Sequence, residues 1–261
     1  MIELYHSEPN SFYLKPLVAL KEKNAEFKSH YFDPTKFEQF APDFPHNVES
    51  DLQLEREGPL LIDGGEIISS SFFMLEYIAE ALPGTDLYPG DGYTKYRAQA
   101  WGQFLGLALG PAVAALGCAK YLGPVLKTRG QTELKAAIDK IEPIERRNAW
   151  LAVIDGSYTD AALKGAAEKV KFPVKRVEDW LADNTWLTGD AYSIADIDAF
   201  ALLSVLPDLT PEIVNATATP KVMDFLKRMR DREAVQAALA MSKTGKPQEF
   251  FVPGAEPSRW G

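Results

Sequence analysis

Side chains able to carry chemistry are sparse in this chain and unevenly placed. Its one cysteine, Cys118, lies in an apolar stretch. A single thiol excludes an internal disulfide and a cysteine-rich zinc site, and apolar surroundings make it an inert core thiol. His6, His30 and His46 lack the spacing of a ligand set, so no metal is expected. Hydroxyls gather at two helix starts. Ser11 and Tyr13 precede an apolar-periodic segment beginning at Leu14, and Ser69-Ser70-Ser71 precede another beginning at Phe72, where they read as N-caps. Ser193-Ile194-Ala195-Asp196 has capping-box spacing and reads as structural. Lys227, Arg228, Arg230 and Arg232 alternate with apolar positions, the pattern of a solvated helix face.

Alternation places strands at Ile2–Tyr5, Glu26–Phe32, Pro59–Ile62 and Glu66–Ile68, the last two joined by the turn Asp63-Gly64-Gly65. Helical periodicity covers Leu14–Lys23 and Phe72–Ala81, and residues 33 to 57 form a polar stretch with room only for short helices. After Pro83 the pattern changes. From Tyr93 to Ala240 the periodicity is helical almost throughout, with helices over Pro173–Ala182, Ser193–Leu206 and Pro220–Met241. The layout is an α/β domain over residues 1–83, a linker over 84–92, an all-helical domain over 93–244, and a tail over 245–261 carrying Phe250, Phe251 and Trp260.

With 261 residues, 46% hydrophobic and 25% charged, the composition is that of a globular chain. The net charge of −9, from 28 basic and 37 acidic residues, lacks the clustered positive charge that nucleic acid or anionic lipid requires. The most apolar stretch, Phe104 to Leu126, is interrupted by glycines, prolines and Lys120, and reads as a buried helix rather than a membrane span. The first residues, MIELYHSEPN, have neither a basic run nor an apolar core, so no signal peptide is expected and the location is expected to be cytoplasmic.

The order β-α-β-(α)-β-β-α with a proline heading the third strand, followed by helices, resembles the cytosolic glutathione S-transferases over nearly the full length. Within them it is similar to the bacterial β-aryl etherases of lignin breakdown, in the branch that cleaves the β(S) ether. The matching stretches are Leu14-Lys15-Pro16-Leu17, Asp33-Pro34-Thr35-Lys36-Phe37-Glu38-Gln39, Leu75-Glu76-Tyr77 and Tyr192-Ser193-Ile194-Ala195-Asp196-Ile197. The resemblance implies a thioredoxin-like N-terminal domain followed by an all-α C-terminal domain, with glutathione as co-substrate.

It also implies a site, position by position. A hydroxyl after the first strand should favour the glutathione thiolate, a stronger nucleophile than the thiol. In the etherase branch that residue is a serine just before the Leu-Lys-Pro-Leu run, where this chain has Tyr13, preceded by Phe12. Tyr13 could replace the serine, Ser11 could swing into its place, or Tyr13 and Phe12 could simply pack. Tyr5 is expected to be strand structure. Gly58 and Pro59 correspond to the dipeptide that pairs with the cysteinyl backbone, the proline being cis in the family. Ser70 and Ser71 stand where an acid and a serine anchor the γ-glutamyl group; Ser70 has no charge for the ammonium, a loss of roughly 1.5–3 kcal/mol. The bland alternatives are a strand-entry turn at Gly58-Pro59 and helix capping at Ser69–Ser71.

Three neighbouring contacts, Tyr13 for the serine, Gly58 for the valine common in the family and Ser70 for the acid, have thus departed from the pattern while the scaffold has not. The etherase group includes heterodimers in which one chain is degenerate, so the resemblance implies a structural partner within a glutathione-dependent β-aryl etherase. The alternatives are an active enzyme cleaving aryl ethers through Tyr13 or Ser11, and a binding protein for aromatics. A homodimer or a heterodimer with a related subunit is expected. The Gly/Ala-rich stretch Leu105–Gly123 would line the electrophile pocket or allow close helix packing, and Trp101, Trp150 and Tyr121 are expected to be core residues.

Overall fold

The computed structural model describes residues 1–46, 58–142, 144–155 and 157–254. Four strands, β1 (Ile2–His6), β2 (Phe27–Tyr31), β3 (Leu60–Asp63) and β4 (Glu66–Ile68), form one sheet in the order β2-β1-β3-β4. β1 runs parallel to β2, with Leu4 opposite Ser29, and antiparallel to β3, with Leu4 opposite Leu61. Alternation buries Ile2, Leu4 and His6 on one face, as a period of two requires. Helix α1 (Ser11–Glu22) crosses between β1 and β2 and packs against α2 (Ser71–Ala81).

The rest is helical: α3 (Gly92–Ala108), α4 (Gly110–Gly117), a π turn (Cys118–Leu122), α5 (Gly123–Lys127), α6 (Gln131–Ile138), α7 (Ile144–Ile154), α8 (Asp160–Trp180), α9 (Ile194–Leu203), α10 (Leu206–Leu209), α11 (Pro220–Arg230) and α12 (Glu233–Leu239). The expected single helix over 104–126 is therefore several segments. Among the described residues no single helix is long and apolar enough to cross a membrane, and the apolar pair 92–108 and 110–127 is bent by 42°.

Other expectations are corrected at element ends. The helix expected from Pro173 begins at Asp160 and carries Pro173 in its interior. A proline there sacrifices one backbone hydrogen bond, but Val170, Val174 and Val177 are buried on one face, and that packing carries the helix through. The helix expected over 220–241 is two, broken at Asp231-Arg232, and the one expected to reach Leu206 ends at Leu203. The tail contains one 3-10 turn, Pro247–Phe250, while Trp260 lies outside the described residues.

Helix α1 is the seam between the two parts. It packs on α2 on one side and on α9 and α12 on the other. Lys15 and Asp198 of α9 form an ion pair at 2.7 Å, both nearly buried. Two turns further along α1, Glu22 takes a two-pronged contact from Arg232 at 2.6 and 2.9 Å. Arg232 is thus not on a solvated face. Arg228 and Arg230 likewise donate to the carbonyls of Thr185 and Ser204. The Ser193–Asp196 capping box is present as expected, and the Asp196 carboxylate also accepts from the Leu187 N–H at 2.9 Å. Complete burial pushes this carboxyl up to about 7 against the pull of those donors.

Two stability outcomes follow from these buried charges. Asp198→Ala leaves the Lys15 ammonium buried without its partner and should cost about 3–5 kcal/mol, whereas the double change Lys15→Met with Asp198→Leu should recover most of it. Asp196→Ala orphans the Leu187 and Ser193 N–H groups and should cost about 1–3 kcal/mol. Urea denaturation curves of the four proteins measure both.

Candidate functional site

A cleft of about 950 Å³ opens where the start of α1, the head of β3 and the start of α2 face the helices. Ser11, Gly58, Pro59, Ser70 and Ser71 all line it. Tyr13 does not: its ring is 1% exposed. It packs edge-on to Phe32 at 5.7 Å and tilted to Phe12 at 5.2 Å between centroids. The structure therefore separates the two hydroxyl candidates, bringing Ser11 to the cleft and placing the Tyr13 ring in the layer beneath. Phe12 lines the cleft as well as packing on Tyr13. Tyr5 stays on the strand, its ring stacked on His30 at 4.2 Å.

Three of the cleft residues have left-handed backbones. Ser11 has φ 47°, Gly58 φ 69° and Ser70 φ 66°. Such a backbone costs an L-residue about 1–2 kcal/mol, and strain of this kind clusters at ligand sites. At Gly58 the glycine is favoured on two counts. Its φ disfavours any side chain, and a Cβ would lie 3.0 Å from the Phe32 ring. The Gly58–Pro59 bond is cis, and the pair stands just ahead of Leu60, the first laddered residue of β3.

The capping expectation at Ser69–Ser71 is corrected. Ser70 occupies the N-cap, its carbonyl accepting from the Met74 N–H at 2.9 Å, but its side chain makes no cap hydrogen bond. With φ 66° in place of the extended backbone of an ordinary N-cap, the hydroxyl is not aimed at the first-turn N–H groups. The three serines line the cleft instead. The first turn of α2 carries no acid, so its N–H groups and the Ser70 and Ser71 hydroxyls suit a carboxylate better than an ammonium.

Several cleft residues escaped the sequence reading. Lys15 lines the cleft four residues after Ser11, on the same face of α1. That i, i+4 spacing was the available signal. Gln39 and Phe40, in a short 3-10 turn over Glu38–Phe40, and His46 border the same space and carry no periodic signal that would point them there. Gly254, in the tail, lines the far end.

That far end is lined by Gly106, Leu107, Gly110, Pro111, Ala114 and Leu202. The small residues of this stretch divide into two uses. A Cβ at Gly106 or Gly110 would meet nothing within 4 Å, so these glycines widen the cleft; at Gly102 and Gly117 it would overlap the rings of Phe72 and Phe251, so these permit close packing. Trp101 packs among Phe104 and Trp180, Trp150 is fully buried against Phe37, and Tyr121 stacks on Phe251; none lines the cleft. Cys118 is buried, and among the described residues no group of three or more His, Cys, Asp or Glu could hold a metal.

Comparison with known proteins agrees with this fold. The glutathione S-transferase N-terminal domain model matches residues 1–80 and the C-terminal domain model residues 113–233. Protein LigF of Sphingobium sp. strain SYK-6 is 27% identical over 248 residues, covering 93% of this chain and 94% of LigF. The crystal structure of beta-etherase LigF superposes with a TM-score of 0.84 over 92% of this chain and 99% of that one. A glutathione transferase of Burkholderia graminis with two glutathione molecules bound per subunit shares the fold, at a TM-score of 0.68 and 23% identity, over 94% of this chain and 89% of that one. With both domain models matched in order along most of its length, the chain belongs to the glutathione S-transferase family.

Proposed function

We propose that this chain is the structural partner in a glutathione-dependent β-aryl etherase acting on lignin-derived aromatics, with a weakened glutathione site of its own. The observation that carries the reading is the burial of Tyr13. It stands where the etherase branch has its thiolate-stabilising serine, and its ring is taken up by packing on Phe12 and Phe32. The uncharged Ser70 at the γ-glutamyl anchor supports the same conclusion. Losing a charged hydrogen bond of roughly 1.5–3 kcal/mol weakens binding about ten- to hundredfold.

Family members commonly form dimers, and the chain has a surface suited to one. Phe73 on α2, Tyr93 and Tyr96 on α3 and Phe172 on α8 are each more than half exposed. Hydrogen bonds from Lys95 to Glu80 and from Gln99 to Glu76 join α2 to α3, and Phe104 of α3 meets Phe172 edge-on at 5.9 Å. Large apolar side chains at this density mark an interface, and a related transferase subunit is the proposed occupant.

A second reading rests on a different observation: Ser11 lines the cleft, at the start of α1 and four residues from Lys15. In that reading Ser11 donates to the glutathione thiolate, which attacks the carbon bearing the aryl ether. The C–S bond forms, the C–O bond breaks, and the phenolate leaves.

Calorimetric titration with glutathione separates the two. The structural-partner reading expects no detectable heat, or a dissociation constant well above about 1 mM. Tighter binding, with β-aryl ether cleavage that Ser11→Ala abolishes and Tyr13→Phe leaves intact, would establish the active enzyme. For the interface, Tyr96→Glu with Phe172→Glu should convert the sedimenting species to monomer; an unchanged dimer would move the contact elsewhere.

A further inference from the structure

A second, smaller pocket of about 180 Å³ shares no lining residue with the cleft. It lies where the loop before α1 meets α9, the end of α11, α12 and the tail. Leu14, Phe200, Val205 and Leu239 give it apolar walls, and Pro247 and Gln248 of the tail border it. Two further lining side chains are donors in want of an acceptor. Asn10 is 5% exposed, and its amide nitrogen meets no acceptor among the described residues. It stands at the N-cap of α1 but makes no side-chain cap bond, so capping does not account for it. Arg230 lies over the Phe200 ring, 5.9 Å from its centroid, and donates to the Ser204 carbonyl at 3.1 Å. These contacts orient the guanidinium without neutralising it. No carboxylate lines the pocket, and none offsets the burial that lowers the Arg230 pKa.

We propose that this pocket binds a small monocarboxylate with a short apolar body, its oxygens taken by the Asn10 amide and the Arg230 guanidinium. A buried amide N–H is costly until an acceptor reaches it. The cation beside it makes a negatively charged acceptor the fitting one, and the planar guanidinium fork matches a carboxylate. The remaining walls decide the rest of the ligand. A phosphate or sulfate would set unpaired oxygens against leucine and phenylalanine, whereas an alkyl chain is stabilised there. At about 30 Å³ for each water-sized group, the volume holds an acid of a few carbons. The walls are also set in advance. The fully buried Glu8 carboxylate accepts from the N–H groups of Lys243 and Thr244, at 2.9 and 3.1 Å, and from the Ser242 hydroxyl. The Glu8 carbonyl accepts from the Asn10 N–H at 2.7 Å. The loop carrying Asn10 is thereby tied to the start of the tail that continues to Pro247 and Gln248, and such preorganisation lowers the cost of binding. A bound acid joins the loop before α1 to the end of α11, across the seam, and so stabilises the folded chain.

The probe is butyrate, with n-butanol and n-butylamine as neutral and cationic controls, titrated into the full-length chain at constant ionic strength. Saturation-transfer NMR reads binding, and thermal melting reads stabilisation. Butyrate should saturate a single site and raise the Tm, with both controls bound at least about tenfold more weakly. Asn10→Asp keeps a strong N-cap residue but sets a like charge against the acid. Arg230→Gln, at the exposed end of α11, removes the cation and decides the proposal by itself where Asn10→Asp does not fold. Each variant should weaken butyrate binding about tenfold or more. Glutathione takes no part in these titrations, so their failure is distinct from failure of the etherase reading. Butyrate that does not saturate the wild-type chain overturns the proposal, as does equal binding of butanol or an unchanged butyrate affinity in Arg230→Gln.

Discussion

The buried ion pair between Lys15 and Asp198 is the constraint from which the rest of this structure follows. A charge taken out of water must find its partner or destabilise the fold, so the pair permits one register of α1 against α9. Glu22 lies seven residues beyond Lys15, two turns along and on the same face, and meets Arg232. The two contacts have opposite polarity along α1. A slip of α1 would break both, and a reversal would set like charges against each other. Helix α1 is therefore pinned at both ends against the helical part while its other side packs on α2 and the sheet.

Because α1 is fixed in this way, its first residue is fixed too. Ser11 sits where the seam opens into the cleft, opposite Gly58-Pro59 and the serines that start α2. The left-handed backbones of Ser11, Gly58 and Ser70 persist because packing on several sides leaves no relaxed alternative. In the proposed reading the side chains around them depart from the family pattern, with the buried Tyr13 ring where the etherase branch has a cleft hydroxyl and the neutral Ser70 where the family has an acid. Backbone shape at this site is set by the scaffold, and the polar chemistry is set by side chains that can change without disturbing it.

Elements with a strong local signal were legible from the residues alone. The alternation of Ile2 to Tyr5, the Asp63-Gly64-Gly65 hairpin turn and the Ser193–Asp196 capping box all appear in the structure where their patterns place them. Failures fell where tertiary packing outweighed a local preference. Pro173 does not begin a helix because buried valines carry α8 through it. The basic run at 227–232 is not simply solvated, because Arg232 finds Glu22 some 210 positions away in the chain. The serines before α2 are not caps because Ser70 is turned to a left-handed backbone.

The sequence by itself determined the family fold, because strand alternation, helix periodicity and the motif stretches are properties of neighbouring residues, while the positions of a glutathione site came from the resemblance alone. Only the tertiary structure decided that Ser11 rather than Tyr13 reaches the cleft, that Gly106 and Gly110 widen it while Gly102 and Gly117 seat aromatic rings, and that Gly254 of the tail lines it. Each of those outcomes depends on which side chain occupies a given volume first. That competition is between residues remote in the chain, Tyr13 with Phe32 and Gly117 with Phe251, and no local pattern records it.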